Sequence, residues 1–207
     1  MLELFVSSLI TFFVVIDPPG CAPIYAGLTA GAPRHLARAM AVRAVLIAGG
    51  ILVVFALFGQ DILSAIGASL DSFRIAGGIL LFVIATEMVL EKRTQRREDR
   101  AQKLSEAHVE DVSVFPMAMP MIAGPGSIAS IMLLMSKGHG IERTVVILTA
   151  LATILALTMA ALILAGPIMK VLGDKIEAVV TRLLGVLLAA LAAQFVIDGI
   201  KGSFFPA

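Results

Sequence analysis

Charge is scarce in this chain. Of its 207 residues, 15% are charged and 59% hydrophobic, and the mean hydropathy is +1.00. A soluble domain carries roughly 25% charged and about 45–50% apolar residues. So few charges cannot cover a water-facing surface of this size, and most of the outer face has to lie in lipid. That excludes a typical soluble enzyme, a disordered linker and a free nucleic-acid-binding module. The net charge of +1 offers no broad electrostatic footprint for DNA or RNA. Cysteine occurs once, as Cys21, so no disulfide can close within the chain. The N-terminal residues carry Glu3 and no basic run, and no A-x-A site follows the first apolar segment, so no cleaved signal peptide is read there. No nucleotide-binding P-loop is present.

What the chain does have is apolar stretches near the ~20 residues that cross a hydrocarbon core. Six qualify: residues 4–30, 40–58, 73–90, 112–135, 144–168 and 179–200. No ten-residue blocks alternate with period two, so a lipid-facing barrel is not expected. Of the 16 Lys and Arg residues, twelve fall in the loops after spans 1, 3 and 5, including Arg34, Arg38, Arg43, Lys170, Lys175 and Arg182. The other four are Arg74, Lys137, Arg143 and Lys201. The richer side is expected to be cytoplasmic, with both termini outside. Residues 91–111 form the only long polar stretch and mix six basic with six acidic side chains, which reads as a solvated cytoplasmic linker.

The two halves repeat an order of features. Span 1 is interrupted by Asp17-Pro18-Pro19-Gly20 and span 4 by Ala123-Gly124-Pro125-Gly126. Spans 3 and 6 each start at an arginine, in Arg74-Ile75-Ala76-Gly77 and Arg182-Leu183-Leu184-Gly185. Three spans per half force the second copy to enter from the opposite side. The expected fold is therefore an all-α membrane protein of six transmembrane helices. They form two inverted three-helix repeats, 1–90 and 112–207, around the linker, with helices 1 and 4 broken.

Proline lacks an amide hydrogen and clashes with the preceding turn, and glycine loosens the backbone further. Pro18, Pro19 and Pro125 therefore break their helices near mid-span, with Pro23, Pro116 and Pro120 close by. Unpaired backbone groups in lipid cost several kcal/mol each, so such breaks belong in protein or against a watery cavity. A shared polar pocket between the halves is expected. The amides of Gly20, Cys21 and Ala22, and of Gly126, Ser127 and Ile128, would start new helices there and attract an anion. Carbonyls before each break could hold a cation. Kinks that only shape packing remain an alternative.

Asp17 is the sharpest single residue, because a carboxyl at mid-bilayer costs about 2.5–3.5 kcal/mol even on a lenient scale. It can cap the restarted helix, bind a coupling ion, or do both. Glu87 is a second ion-coupling candidate near the cytoplasmic end of span 3, and Gln194 in span 6 is a candidate to hydrogen-bond substrate, or else another helix. Enzyme readings are poor. His35, His108 and His139 fall in loops without metal spacing, Ser127 has no histidine in a span to activate it, and Asp17 has no facing aspartate. No metal, cofactor or nucleic acid is expected beyond a coupling proton or sodium ion.

Four segments resemble the MarC family of inner-membrane proteins. Phe12-Phe13-Val14-Val15-Ile16-Asp17-Pro18-Pro19-Gly20 with Pro23-Ile24-Tyr25 is similar to the family's first-span signature. Arg74 to Phe82, leading to Glu87-Met88, is similar to the third. Pro116 to Pro120 with Ala123-Gly124-Pro125-Gly126-Ser127-Ile128 is similar to the fourth, and Ala192 to Gly199 to the sixth. The resemblance covers nearly the whole chain. It implies a six-span protein of the inner, or plasma, membrane of a bacterium or archaeon. It also implies membership of a class assigned to transport of small neutral amino acids such as glycine and alanine. Cys21 departs from the family's usual Asn, which bears on selectivity if that side chain meets substrate.

The reading that follows is a secondary transporter. A substrate carboxylate would sit near Gly20, Cys21, Ala22, Gly124, Gly126 and Ser127, with Asp17 taking the ammonium or a coupling ion. A passive small-solute channel and a structural or regulatory membrane protein are the alternatives. A homo-oligomer is compatible with either.

Overall fold

The computed structural model describes residues 1–90, 92, 111–136, 138 and 140–204, with the side chains of 168–178 left aside. Of the linker 91–111, only Lys92 and Asp111 are described; His108, Lys137 and His139 also fall outside.

Every regular element among the described residues is a helix. In chain order they are α1 (Leu2–Ile16), α2 (Pro18–Leu28), α3 (Arg34–Ala65), α4 (Leu70–Val89), α5 (Ser113–Ile122), α6 (Pro125–Ser136), α7 (Ile141–Ile163) and α8 (Ala165–Phe204). Five runs are long and apolar enough to cross a membrane: Leu2–Leu28, Arg34–Ala65, Leu70–Val89, Ile141–Ile163 and Val179–Phe204. The pair α5 and α6, bent by 50°, makes a sixth if it counts as one span.

Two expectations need correction. Arg34, Arg38 and Arg43 are not in a loop but in the first turns of α3. The backbone around Lys170, Lys175 and Arg182 is likewise helical, part of α8. Lys and Arg are good helix formers, so a helix need not stop where the hydrocarbon does. The 32 residues of α3 rise about 48 Å, well beyond a core about 30 Å thick. Pro167 sits in the first turn of α8, where its missing amide is tolerated.

The helices fall into two packing groups. The larger core draws on α1, α2, α3, α5, α6 and α7 around Phe12, Tyr25, Leu52, Met117, Ile131 and Ile147. The smaller joins α4 and α8, through Leu81, Met88, Leu188 and Phe195, to Val14, Val15 and Leu133. Partnerships recur between the halves. α1 packs on α7 as α5 packs on α3; α2 meets α7 and α8 as α6 meets α3 and α4.

Glycines bring α4 and α8 together, and their contacts fix the direction. A Cβ on Gly78 would meet Ala192 and Val196, one on Gly185 would meet Ala85 and Met88, and one on Gly199 would meet Asp71 and Ile75. Rising numbers on one helix meet falling numbers on the other, so the two run antiparallel. Where α4 begins, Arg74 donates to Asp71 Oδ1 at 2.7 Å and to the Ser136 carbonyl at 3.1 Å. It thereby satisfies a backbone acceptor at the C-terminal end of α6. Outward faces remain apolar, with Leu46, Leu57, Phe58, Ile79, Phe82 and Leu183 exposed, as suits contact with acyl chains.

Candidate functional site

The first break is built by Asp17. Its backbone is left-handed, at φ 60° and ψ 65°, a conformation that Asp and Asn tolerate better than other side chains. It ends α1 by donating its amide to the Phe13 carbonyl at 3.0 Å, and it starts α2. Its Oδ1 accepts the Gly20 amide at 3.2 Å, and its carbonyl accepts the Cys21 amide at 3.0 Å. Pro18 and Pro19 fill the first two helical positions, where no amide is needed. Gly20 is required here, because a Cβ would lie 2.8 Å from Asp17 Cγ and 3.0 Å from its Oδ1. Cys21 spans the break from the other side, its thiol donating to the Ile16 carbonyl at 3.4 Å.

The amides expected to await an anion at this break are thus engaged. Asp17 itself supplies the carboxyl at the N-terminus of α2, which is the favourable end of the helix for a negative group.

The second break differs. In α5, Phe115 and Met119 are extended, at φ −129° and −133°. Each precedes a proline, whose ring pushes its neighbour out of the helical region. The remaining turns close with wide bonds, Met117 amide to Val112 carbonyl at 3.2 Å and Ala123 amide to Ala118 carbonyl at 2.9 Å. Gly124 then starts α6 by accepting the Ile128 amide at 3.0 Å. It offers no capping side chain, and none would fit, since a Cβ there would run into the Pro120 carbonyl. The amides of Gly126 and Ser127 have no acceptor among the described residues.

The breaks adjoin. A Cβ on Gly126 would lie 3.2 Å from Val15 Cγ1 of α1 and 2.7 Å from Ile84 Cδ1 of α4. Asp17 and Ser127 are each 2% exposed, and Gly20, Cys21, Ala22, Gly124 and Gly126 are buried too. The breaks thus lie buried inside the protein, with small residues on both sides of their contact. Glu87 lies one turn beyond Ile84 on α4 and is half-buried. Gln194 does not join the breaks. It is exposed on α8 and donates to Asp198 Oδ1 at 2.7 Å.

Sequence reasoning missed buried hydroxyls in the helices. Among the described residues, Ser8 Oγ on α1 and Ser130 Oγ on α6 are two of the buried hydroxyls with no hydrogen-bond partner. Ser130 lies one turn after Ser127, a spacing that puts both on one face of α6. Several threonines, among them Thr11, Thr86, Thr149, Thr153 and Thr158, bond back to a carbonyl four residues earlier. The two serines do not.

Comparison with known proteins fits this architecture. The family model described as "MarC family integral membrane protein" matches residues 2–204. A UPF0056 membrane protein of Archaeoglobus fulgidus is 36% identical over 201 residues, covering 96% of this chain and 93% of its own. UPF0056 membrane protein YhcE of Escherichia coli is 33% identical over 198 residues, covering 94% and 91%. YvbG of Bacillus subtilis is 32% identical over 205 residues, covering 99% and 97%. No solved structure matches. With a family match across nearly its full length and relatives in bacteria and archaea, the chain belongs to the MarC family of integral membrane proteins.

Proposed function

We propose that this protein is a secondary transporter of small neutral amino acids, built as two inverted three-helix units in the plasma membrane with both termini outside. One observation carries the reading: the last turn of α1, which leads into the Asp17 cap, packs on the N-terminus of α6, which holds no carboxyl of its own. A zwitterion complements that pair. Its carboxylate would take the amides of Gly126 and Ser127, and its ammonium would take Asp17. A proton or sodium ion at Asp17, with Glu87 one turn beyond Ile84 on α4 as a second site, would couple flux to a gradient. The glycines and alanines around the breaks leave room only for a small side chain. The closed packing corresponds to an occluded state, and rocking of one half against the other would open it. Inversion is supported by the exchangeable partnerships of the halves and by the antiparallel α4 and α8.

Proteoliposomes test this directly. Glycine and alanine uptake should saturate, compete with each other, and respond to an imposed proton or sodium gradient. Non-saturating flux indifferent to both gradients would indicate a passive channel instead. Absence of flux from both faces, with the protein folded and inserted, would indicate a structural or regulatory role.

A further inference from the structure

A cavity of about 610 Å³ runs between α1 and α8, apart from the helix breaks. One wall is α1 from Leu2 to Val14; the other is Leu187, Leu188 and Leu191 of α8. Its rim is apolar and open, with Val6 43%, Ile10 49% and Leu187 56% exposed. In a bilayer such a rim faces acyl chains, so the groove opens sideways into hydrocarbon. Water is a poor occupant, because a sequestered water needs two to four polar partners. The Thr11 hydroxyl in the wall already donates to the Ser7 carbonyl at 2.8 Å. Left empty, the walls would forfeit their dispersion contacts.

The dimensions and the charge name the occupant. From Leu2 to Val14 the α1 wall rises about 18 Å, close to the ~15 Å depth of one leaflet's hydrocarbon. Glu3, the one charged residue among the described lining, stands at the end where α1 begins. On α8 the face of Leu187 and Leu191 continues at helical spacing to Gln194 and Asp198, toward the end of that helix. We propose that this groove binds one phospholipid with an ammonium headgroup, such as phosphatidylethanolamine. An acyl chain lies between α1 and α8, and the ammonium sits on the Glu3 carboxylate. The site stands whether or not the chain carries a solute.

Native mass spectrometry of the purified, delipidated full chain tests it by titration with phosphatidylethanolamine or phosphatidylglycerol. One phosphatidylethanolamine should be retained in preference to phosphatidylglycerol. Leu191→Trp, which fills the groove, should lower its occupancy about tenfold, and Ile10→Trp does the same from the opposite wall should the first variant not fold. Glu3→Gln should erase the headgroup preference while a lipid still binds. Leu57→Trp, on an exposed face of α3, should change neither. Unchanged occupancy in both groove variants, or no headgroup preference in the parent chain, overturns the proposal. So does a dimer that the groove variants dissolve, since a second copy would then be the occupant.

Discussion

Replacing Asp17 by Asn and by Ala separates its structural part from its chemical one. Asn caps a helix about as well as Asp and tolerates the left-handed backbone at φ 60°. Asp17→Asn should therefore keep unfolding stability within about 0.5 kcal/mol of the parent. Ala loses the bond from the Gly20 amide, at about 1 kcal/mol, and holds the left-handed backbone at a further cost of roughly 1–2 kcal/mol. Asp17→Ala should thus lose about 2–3 kcal/mol. Gly20→Ala reaches the same cap from the other side, since its Cβ would lie 2.8 Å from Asp17 Cγ and displace the carboxyl. It should destabilise even though Ala is the better helix former by about 1 kcal/mol. Together with Asp17→Ala it should cost less than the sum, because the clash has gone. Denaturant unfolding in micelles gives the stabilities and proteoliposome uptake the chemistry. On the transporter reading, both Asp17 variants lose coupled uptake, and only Ala loses stability. An Ala variant as stable as Asn refutes the cap argument; an Asn variant with parental uptake and ion dependence refutes the chemical one.

Three further predictions concern the frame around the breaks. Gly78→Ala places a Cβ 2.8 Å from the Ala192 carbonyl and 2.9 Å from the Val196 amide, so it should force α4 and α8 apart and lower stability by about 1–3 kcal/mol in thermal unfolding. Arg74→Ala leaves the Ser136 carbonyl without its donor and should cost about 1–3 kcal/mol, with Arg74→Lys intermediate because only a planar fork reaches Asp71 and Ser136 together. The Asp111 carboxyl is held below its ordinary value of 3.8 by hydrogen bonds from Ser113 and by the Arg43 guanidinium. Its stabilising share should be full above pH 3.8 and lost as pH falls through the depressed value. The pair is exposed, so the effect should be small and weaken with salt, and Asp111→Asn should flatten that part of the pH–stability curve.

Much of the site was legible because proline and aspartate act locally. Pro18 and Pro19 have no amides to give, so α1 had to end before them. Asp17, three residues before the Gly20 amide, was placed to cap the restart. The Cys21 bond to the Ile16 carbonyl was not legible, because that carbonyl is orphaned only once Gly20 turns to Asp17. The extended residues Phe115 and Met119 follow from Pro116 and Pro120, but their combination with wide helical turns does not. Charge does not mark helix ends here: Arg34 lies within α3 and Lys170 within α8. The orientation of Gln194 was not legible for another reason. Spans apolar all round show no preferred face, so sequence alone could not say that Ala192 and Phe195 face α4 while Gln194 turns away.

The difference between the two breaks bears most on function. Two bare helix N-termini would favour an anion, and two capped ones would favour no charged ligand. One of each suits a molecule carrying both signs. Packing enforces this asymmetry: Gly124 adjoins the Pro120 carbonyl too closely for any capping side chain, whereas Asp17 has Gly20 to make room for its own carboxyl. Moving the carboxyl is therefore not open to a simple swap. An acid at position 124 would displace α5 before it capped α6, and a bare residue at 17 would lose the turn that α2 starts from. On the proposed reading, the geometry that selects a zwitterion and the geometry that breaks the helices are the same set of atoms. Variants that restore helical stability without restoring the Asp17 carboxyl should accordingly remain unable to couple uptake.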